Sequence, residues 1–160
     1  LEGGASAPAV AGMTVIVGDG DRRIKGFALA SGAPRWSVPS VGAFESGLEP
    51  VVRDGRVVVV DRLAGVTSID AASGRVDWQV ELDDAVIAVR PAVAPELVAL
   101  TTSGSRRVVV LDRRDGSVVL DRRPQAVPQG LAWHPLRPGL LLIGLRFTDP
   151  GRVEAWSIRR

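Results

Sequence analysis

The stretch Ser68-Ile69-Asp70-Ala71-Ala72-Ser73-Gly74-Arg75-Val76-Asp77-Trp78 decides the fold. It places a polar turn pair, Ser73-Gly74, between two strand-forming segments and ends on a tryptophan four residues past the glycine. A glycine at such a reversal supplies positive φ at no steric cost, and the residue before it can bond the backbone of the turn. The same phrase stands at Ser31-Gly32 with Trp36 and at Asp115-Gly116 with Leu120, so Gly32, Gly74 and Gly116 are spaced 42 residues apart. Upstream, Pro8-Ala9-Val10, Pro50-Val51-Val52 and Pro91-Ala92-Val93 open the three copies. A step of this size with short strands inside it marks a β-propeller, in which each repeat is one four-stranded blade.

The second copy reads most cleanly. Glu49 to Arg53 is a short strand, Asp54-Gly55 a turn, Arg56 to Asp61 a second strand, Val66 to Asp70 a third and Arg75 to Leu82 an outer strand. The unbroken run Val57-Val58-Val59-Val60 fits a strand covered on both faces and leaves no amphipathic helical face. The approximate repeats are 7–46, 47–87, 88–128 and 129–160. The fourth, from Gly130-Leu131-Ala132-Trp133 through Leu140 to Gly144 and Arg152 to Ile158, has no outer strand. The expected fold is all-β, about four consecutive antiparallel blades of about 42 residues belonging to a larger ring of about seven or eight. An open array leaves two apolar end faces, so the isolated chain is expected to be marginal or to associate. Further blades of the same protein, or a second copy, would then cover a flank.

Composition narrows the function classes. The chain has 160 residues, 46% of them hydrophobic, and a formal net charge of +2, and Lys25 is its only lysine. Arginine pairs at 22–23, 106–107, 113–114, 122–123 and 159–160 are interspersed with acids and have few aromatic neighbours, so they read as solvated loop surface rather than a phosphate-tracking face. Nucleic acid is therefore not an expected partner, and no run approaches the ~20 apolar residues of a membrane span. Residues 1–12 lack the basic start and apolar core of a secretory signal, so targeting information is expected to lie outside this segment. The chain contains no cysteine, which excludes disulfides, thiolate metal sites and cysteine catalysis.

Residues 68–78 resemble the docking repeat of pyrroloquinoline-quinone-type propellers, with Ser73 for the usual Thr and Arg75 for the usual Lys. The hairpin Pro50 to Val59 is similar to the same family's first hairpin, so the resemblance covers a whole blade. Gly26 to Trp36 is similar with Ala28 in place of Asp, and Val110 to Leu120 keeps Asp112 and Gly116 but not the tryptophan. The resemblance implies that Gly32, Trp36, Asp70, Gly74, Trp78, Asp112 and Gly116 are structural repeat positions. Quinoprotein dehydrogenases of this family use a bound calcium and an adjacent-cysteine disulfide, and the chain has neither cysteine nor asparagine. Its non-enzymatic relatives act in bacterial outer-membrane assembly and as extracytoplasmic sensors or scaffolds. The expectation is a non-catalytic interaction module without cofactor or metal, placed outside the cytoplasm and binding a protein or peptide partner. One alternative is a dehydrogenase fragment whose cofactor site lies in other blades. The other is a cytoplasmic WD-type scaffold, because Leu131-Ala132-Trp133-His134-Pro135 resembles a WD-type blade.

Arg22-Arg23 and Arg106-Arg107 lie two repeats apart and are the candidate partner-binding rim loops, expected on one rim with Arg113-Arg114 on the other. His134, the only histidine, reads as a turn residue before Pro135. Gly18-Asp19-Gly20-Asp21 reads as a hairpin turn, lacking the terminal Glu of a calcium loop and the Lys of a phosphate loop. Asp83-Asp84 reads as a solvated loop between blades.

Overall fold

The computed structural model describes residues 5–44, 49–84, 90–146 and 152–159. These form four antiparallel sheets in chain order and no α-helix among the described residues. The first sheet is β1 (Ala9–Ala11), β2 (Thr14–Asp19), β3 (Arg23–Ala28) and β4 (Pro34–Pro39). The second is β5 (Val51–Arg53), β6 (Arg56–Val60), β7 (Gly65–Asp70) and β8 (Val76–Glu81). The third is β9 (Ala92–Val93), β10 (Leu97–Thr101), β11 (Val108–Asp112) and β12 (Val118–Arg122). The fourth has three strands, β13 (Val127–Trp133), β14 (Leu140–Arg146) and β15 (Arg152–Ser157). Every sheet is an up-and-down meander, and the first strands β1, β5, β9 and β13 contact one another in succession. Short strands gathered in this way form the inner edge of a propeller, with β4, β8 and β12 outermost.

Alternation along the strands explains the stacking. Val57 and Val59 join Ile16, Ile24 and Ile69 in the core between the first two blades, while Val58 and Val60 join Val98, Leu100, Val109 and Leu111 in the next. Successive side chains of a strand point to opposite faces, so four consecutive valines feed two cores. Each contributes about 1.5–3 kcal/mol through burial. The third core sets Ala99, Val108 and Val110 against Leu141, Ile143 and Leu145. The blades also share a local irregularity. Register shifts fall at Gly26/Phe27, Ser68/Ile69 and Val110/Leu111, one in each pairing of third and outer strands. These bulges were not legible in the sequence.

The end blades differ from the middle ones. In β10 and β11 every residue is buried, whereas β2 alternates, with Ile16 buried and Val15 and Val17 only half-buried. In β14, Leu141, Ile143 and Leu145 are buried against the third blade while Leu140 and Leu142 are half-exposed, and Val153 on β15 is exposed. Each end therefore presents a partly apolar sheet face.

Neighbouring residues on β14 test this geometry. Ile143→Lys forces a charge into the third core and should abolish the cooperative melt followed by circular dichroism. Leu142→Lys should keep the melting temperature within a few degrees and reduce self-association in size-exclusion chromatography. Equal unfolding by both would show that the end face is covered.

Candidate functional site

The turns divide between two rims. One, the docking rim, carries the first-to-second and third-to-outer strand turns; the other, the linker rim, carries the second-to-third strand turns and the linkers between blades. Gly32, Gly74 and Gly116 sit in equivalent docking-rim turns with φ of 68°, 76° and 76°. Their N–H groups donate to the carbonyls of Ala28, Asp70 and Asp112 at 2.8–2.9 Å. The Asp70 carboxylate accepts from Ser73 N and Oγ, and that of Asp112 accepts from Arg114 N.

These turns receive the preceding blade. Trp36 stacks on Gly74 and donates its indole N–H to the Ala71 carbonyl at 3.1 Å. Trp78, 7% exposed, stacks on Gly116 and donates to the Arg113 carbonyl at 2.8 Å. The two contacts are the same contact one repeat apart. Leu120 stands in the third position, packed in the core of the third and fourth blades without a polar group to offer.

Arg113 corrects the reading of the arginine pairs as solvated loop surface. Its side chain is 5% exposed and bonds Asp54 Oδ2 at 2.9 Å, the Arg53 carbonyl and the Pro95 carbonyl at 3.0 Å. It fills the notch where the docking rims of the second and third blades meet. A burial of this kind depends on residues about 60 positions away, which no local pattern reveals. The corresponding gap between the third and fourth blades stays open as a groove of about 900 Å³, lined by Arg53, Glu96, Leu97, Trp133, His134 and Ile158 among others. His134 is held in its turn, with Nδ1 accepting from Leu136 N at 3.1 Å.

On the linker rim, Arg22, Ala64 and Arg106 occupy equivalent positions with φ of 59°, 62° and 54°. No glycine marks this position, so its left-handed conformation was hidden from the sequence, although the spacing of Arg22 and Arg106 was not. A carboxylate secures each turn. Asp19 accepts from Asp21 N and Arg23 N, and the fully buried Asp61 accepts from Leu63 N, Gly65 N, Gly42 N and Ser40 Oγ. In the third blade the turn has Ser103 at this position, and Asp84 reaches in from the linker to accept from Gly104 N, Ser105 N and Ser105 Oγ. Asp84 is thus a tether rather than a solvated loop residue.

The four candidate arginines separate here. Arg23 is bonded to Ser37 on its own outer strand, and Arg107 is paired with Asp83 and Asp121. Arg22 and Arg106 are exposed at the turn tips. Arg106 lines a cleft of about 400 Å³ with Arg123 and Arg146, residues that sequence spacing did not associate with it. Arg113 and Arg114 follow β11 and lie at the opposite end of the blade from Arg106 and Arg107, which precede it.

Among the described residues the donor set does not assemble a calcium centre. Among the described residues no three His, Cys, Asp or Glu side chains converge to hold a metal, and Asp19, Asp61 and Asp84 are committed to backbone N–H groups.

Fold and rims together define a β-propeller array of the pyrroloquinoline-quinone-like repeat type. The family model for outer membrane protein assembly factor BamB matches residues 1–132, and the chain belongs to that family. Its fold is shared by the computationally designed Ika4 protein at 17% identity and a TM-score of 0.77, covering 99% of this chain and 94% of that one. BamB from Moraxella catarrhalis is similar at 16% identity and a TM-score of 0.66, covering 96% of this chain. A europium-containing methanol dehydrogenase is similar at 19% identity and a TM-score of 0.57, covering 77%. The chain spans 46% of that BamB and 24% of that dehydrogenase. No curated protein sequence matches it.

Two predictions follow from the turns. Gly32→Ala meets no atom within 4 Å, so its cost is the left-handed backbone alone, about 1–2 kcal/mol. A Cβ on Gly74 would lie 2.5 Å from Trp36 Cγ, so Gly74→Ala should cost about 1–3 kcal/mol more in urea unfolding, the excess disappearing in a Trp36→Ala background.

The second concerns acid. The Ser73 hydroxyl holds Asp70 below its ordinary carboxylate value, Ser117 does so for Asp115, Arg113 for Asp54 and Ser105 for Asp84. Each binds fewer protons folded than unfolded, so its contribution is complete above the unfolded value near ~4 and is lost as pH falls toward the folded value. Melting temperature should be flat from neutral pH to about 5 and fall steeply below about 4. Ser73→Ala, which removes the hydroxyl from Asp70, should soften that fall.

Proposed function

We propose that this chain is a non-catalytic propeller module that presents its linker rim to a protein or peptide partner outside the cytoplasm. Its ring of about seven or eight blades would be completed by further blades of the same protein or by a second copy. The observation that carries the reading is the unequal use of the two rims. Between the first three blades, Trp36, Trp78 and Arg113 on the docking rim are spent on holding blade to blade. The linker rim has its turns secured internally while Arg22 and Arg106 project from equivalent tips. A rigid scaffold carrying exposed loops is how binding surfaces are commonly built. Membership of the BamB family, whose name denotes outer-membrane protein assembly, supports both the scaffold role and the extracytoplasmic placement.

The likeness to a methanol dehydrogenase keeps a catalytic reading testable. Thermal melts with pyrroloquinoline quinone and calcium should show no stabilisation beyond that from calcium alone. A quinone-dependent rise of several degrees would favour the enzyme. A photo-crosslinking amino acid at position 22, 64 or 106, introduced in the source cell, should yield discrete adducts that position 35 or 118 on the outer strands does not. Adducts confined to the outer strands would overturn the proposal.

A further inference from the structure

Several cations of this protein are neutralised by ion pairs. Arg56 and Arg75 pair with Asp77 at 2.9 Å each, Arg114 with Asp112 at 3.0 Å, Arg113 with Asp54 at 2.9 Å, Arg107 with Asp83 and Asp121, and Lys25 with Asp19. The cleft of about 400 Å³ between the third and fourth blades gathers two arginines, Arg106 and Arg123, that lack such a pair. Arg106, Arg123 and Arg146 line it with Ser105, Pro124, Gln125, Ala126 and Val127, so its described lining residues include no carboxylate. Arg106 and Arg123 are both exposed and make no ion pair among the described residues. Glu154 of the fourth blade is already engaged by Gln125 N at 2.8 Å and Trp156 Nε1 at 2.9 Å.

We infer that this cleft is a docking site for an acidic segment of a protein partner, its Asp or Glu side chains bound by Arg106 and Arg123. This deepens, and rests on, the reading of the linker rim as a binding surface. A guanidinium presents a planar fork that matches a carboxylate bidentately, and such pairs are among the stronger hydrogen-bonded contacts. The small apolar wall of Pro124, Ala126 and Val127 suits side chains interspersed among the acids. A nucleic acid fits less well. No aromatic ring is among its described lining residues for base stacking, and the ring of Trp156 is covered by the Arg122 guanidinium at 5.2 Å. Asp83, exposed on the same rim, and Asp121, paired with the same Arg107, interrupt any continuous phosphate track.

The test uses the full chain and a fluorescein-labelled peptide of alternating acidic and small residues, followed by anisotropy at low and physiological salt. Arg123→Glu removes one fork by charge reversal. Arg106→Gly removes the other and suits its left-handed turn, so the fold is kept. Each should weaken binding about tenfold or more, while Arg22→Gly, the same change in the equivalent turn two blades away, should leave it unchanged. The amide peptide with Gln and Asn in place of the acids should bind at least tenfold more weakly than the parent. Affinity unaffected by both cleft variants would overturn the inference, and so would a single-stranded oligonucleotide of matched charge binding more tightly than the peptide. Rim crosslinks at positions 22 or 64 without acidic-peptide binding would sink this inference alone. Loss of every rim crosslink would sink the scaffold reading whatever the peptide does.

Discussion

A blade of this protein cannot bury both of its faces by itself, and that constraint organises everything else. The strands are at most seven residues long, and the two middle sheets are apolar above and below. Stability comes from stacking, as in other repeat architectures where each unit contacts only its neighbours. The valine run at 57–60 shows the principle at its smallest scale, one strand supplying two cores by alternation. The half-exposed faces of the first and fourth sheets are the same constraint left unmet within the chain.

Apolar stacking alone would leave the blades free to slide, and the polar contacts remove that freedom. Each indole of Trp36 and Trp78 both fills space over a glycine and donates one directed hydrogen bond to a turn carbonyl of the next blade. Arg113 adds a second lock where the blades meet, reaching Asp54 and two carbonyls from a nearly water-free position. Such a group is costly to bury, and several simultaneous bonds offset that cost. The carboxylates of Asp19, Asp61 and Asp84 do the corresponding work on the other rim, fixing turn shape through backbone N–H groups.

The consequence for function is a division of labour between rims. On the docking rim of the first three blades, Trp36, Trp78 and Arg113 are committed to assembly. On the linker rim the turns are held by bonds that do not involve their tip residues, so under the proposed function a side chain such as Arg106 would serve recognition while the backbone beneath it stays fixed. Preorganisation of this kind lowers the entropic cost of binding. The same arrangement explains how one propeller framework serves proteins of very different function, since turn tips can change without disturbing the blade contacts.

The sequence by itself determined the repeat. The 42-residue step of Gly32, Gly74 and Gly116, the valine run and the short turn pairs are local signals, each set by backbone geometry or strand alternation, and they were enough to define an all-β blade array. The spacing of Arg22 and Arg106 likewise put them in equivalent turns. Tertiary structure alone decided which polar groups were spent and which were left over. Arg113 and Arg106 look alike in sequence, each one of an arginine pair, yet one is sealed between blades and the other stands at the mouth of a cleft. Asp84 takes over a turn in which Ser103 stands where Asp19 and Asp61 stand in the first two blades, and Arg106, Arg123 and Arg146 meet only when two blades stack. These outcomes depend on contacts between residues 17 to 60 positions apart, and neither periodicity nor composition carries information at that range.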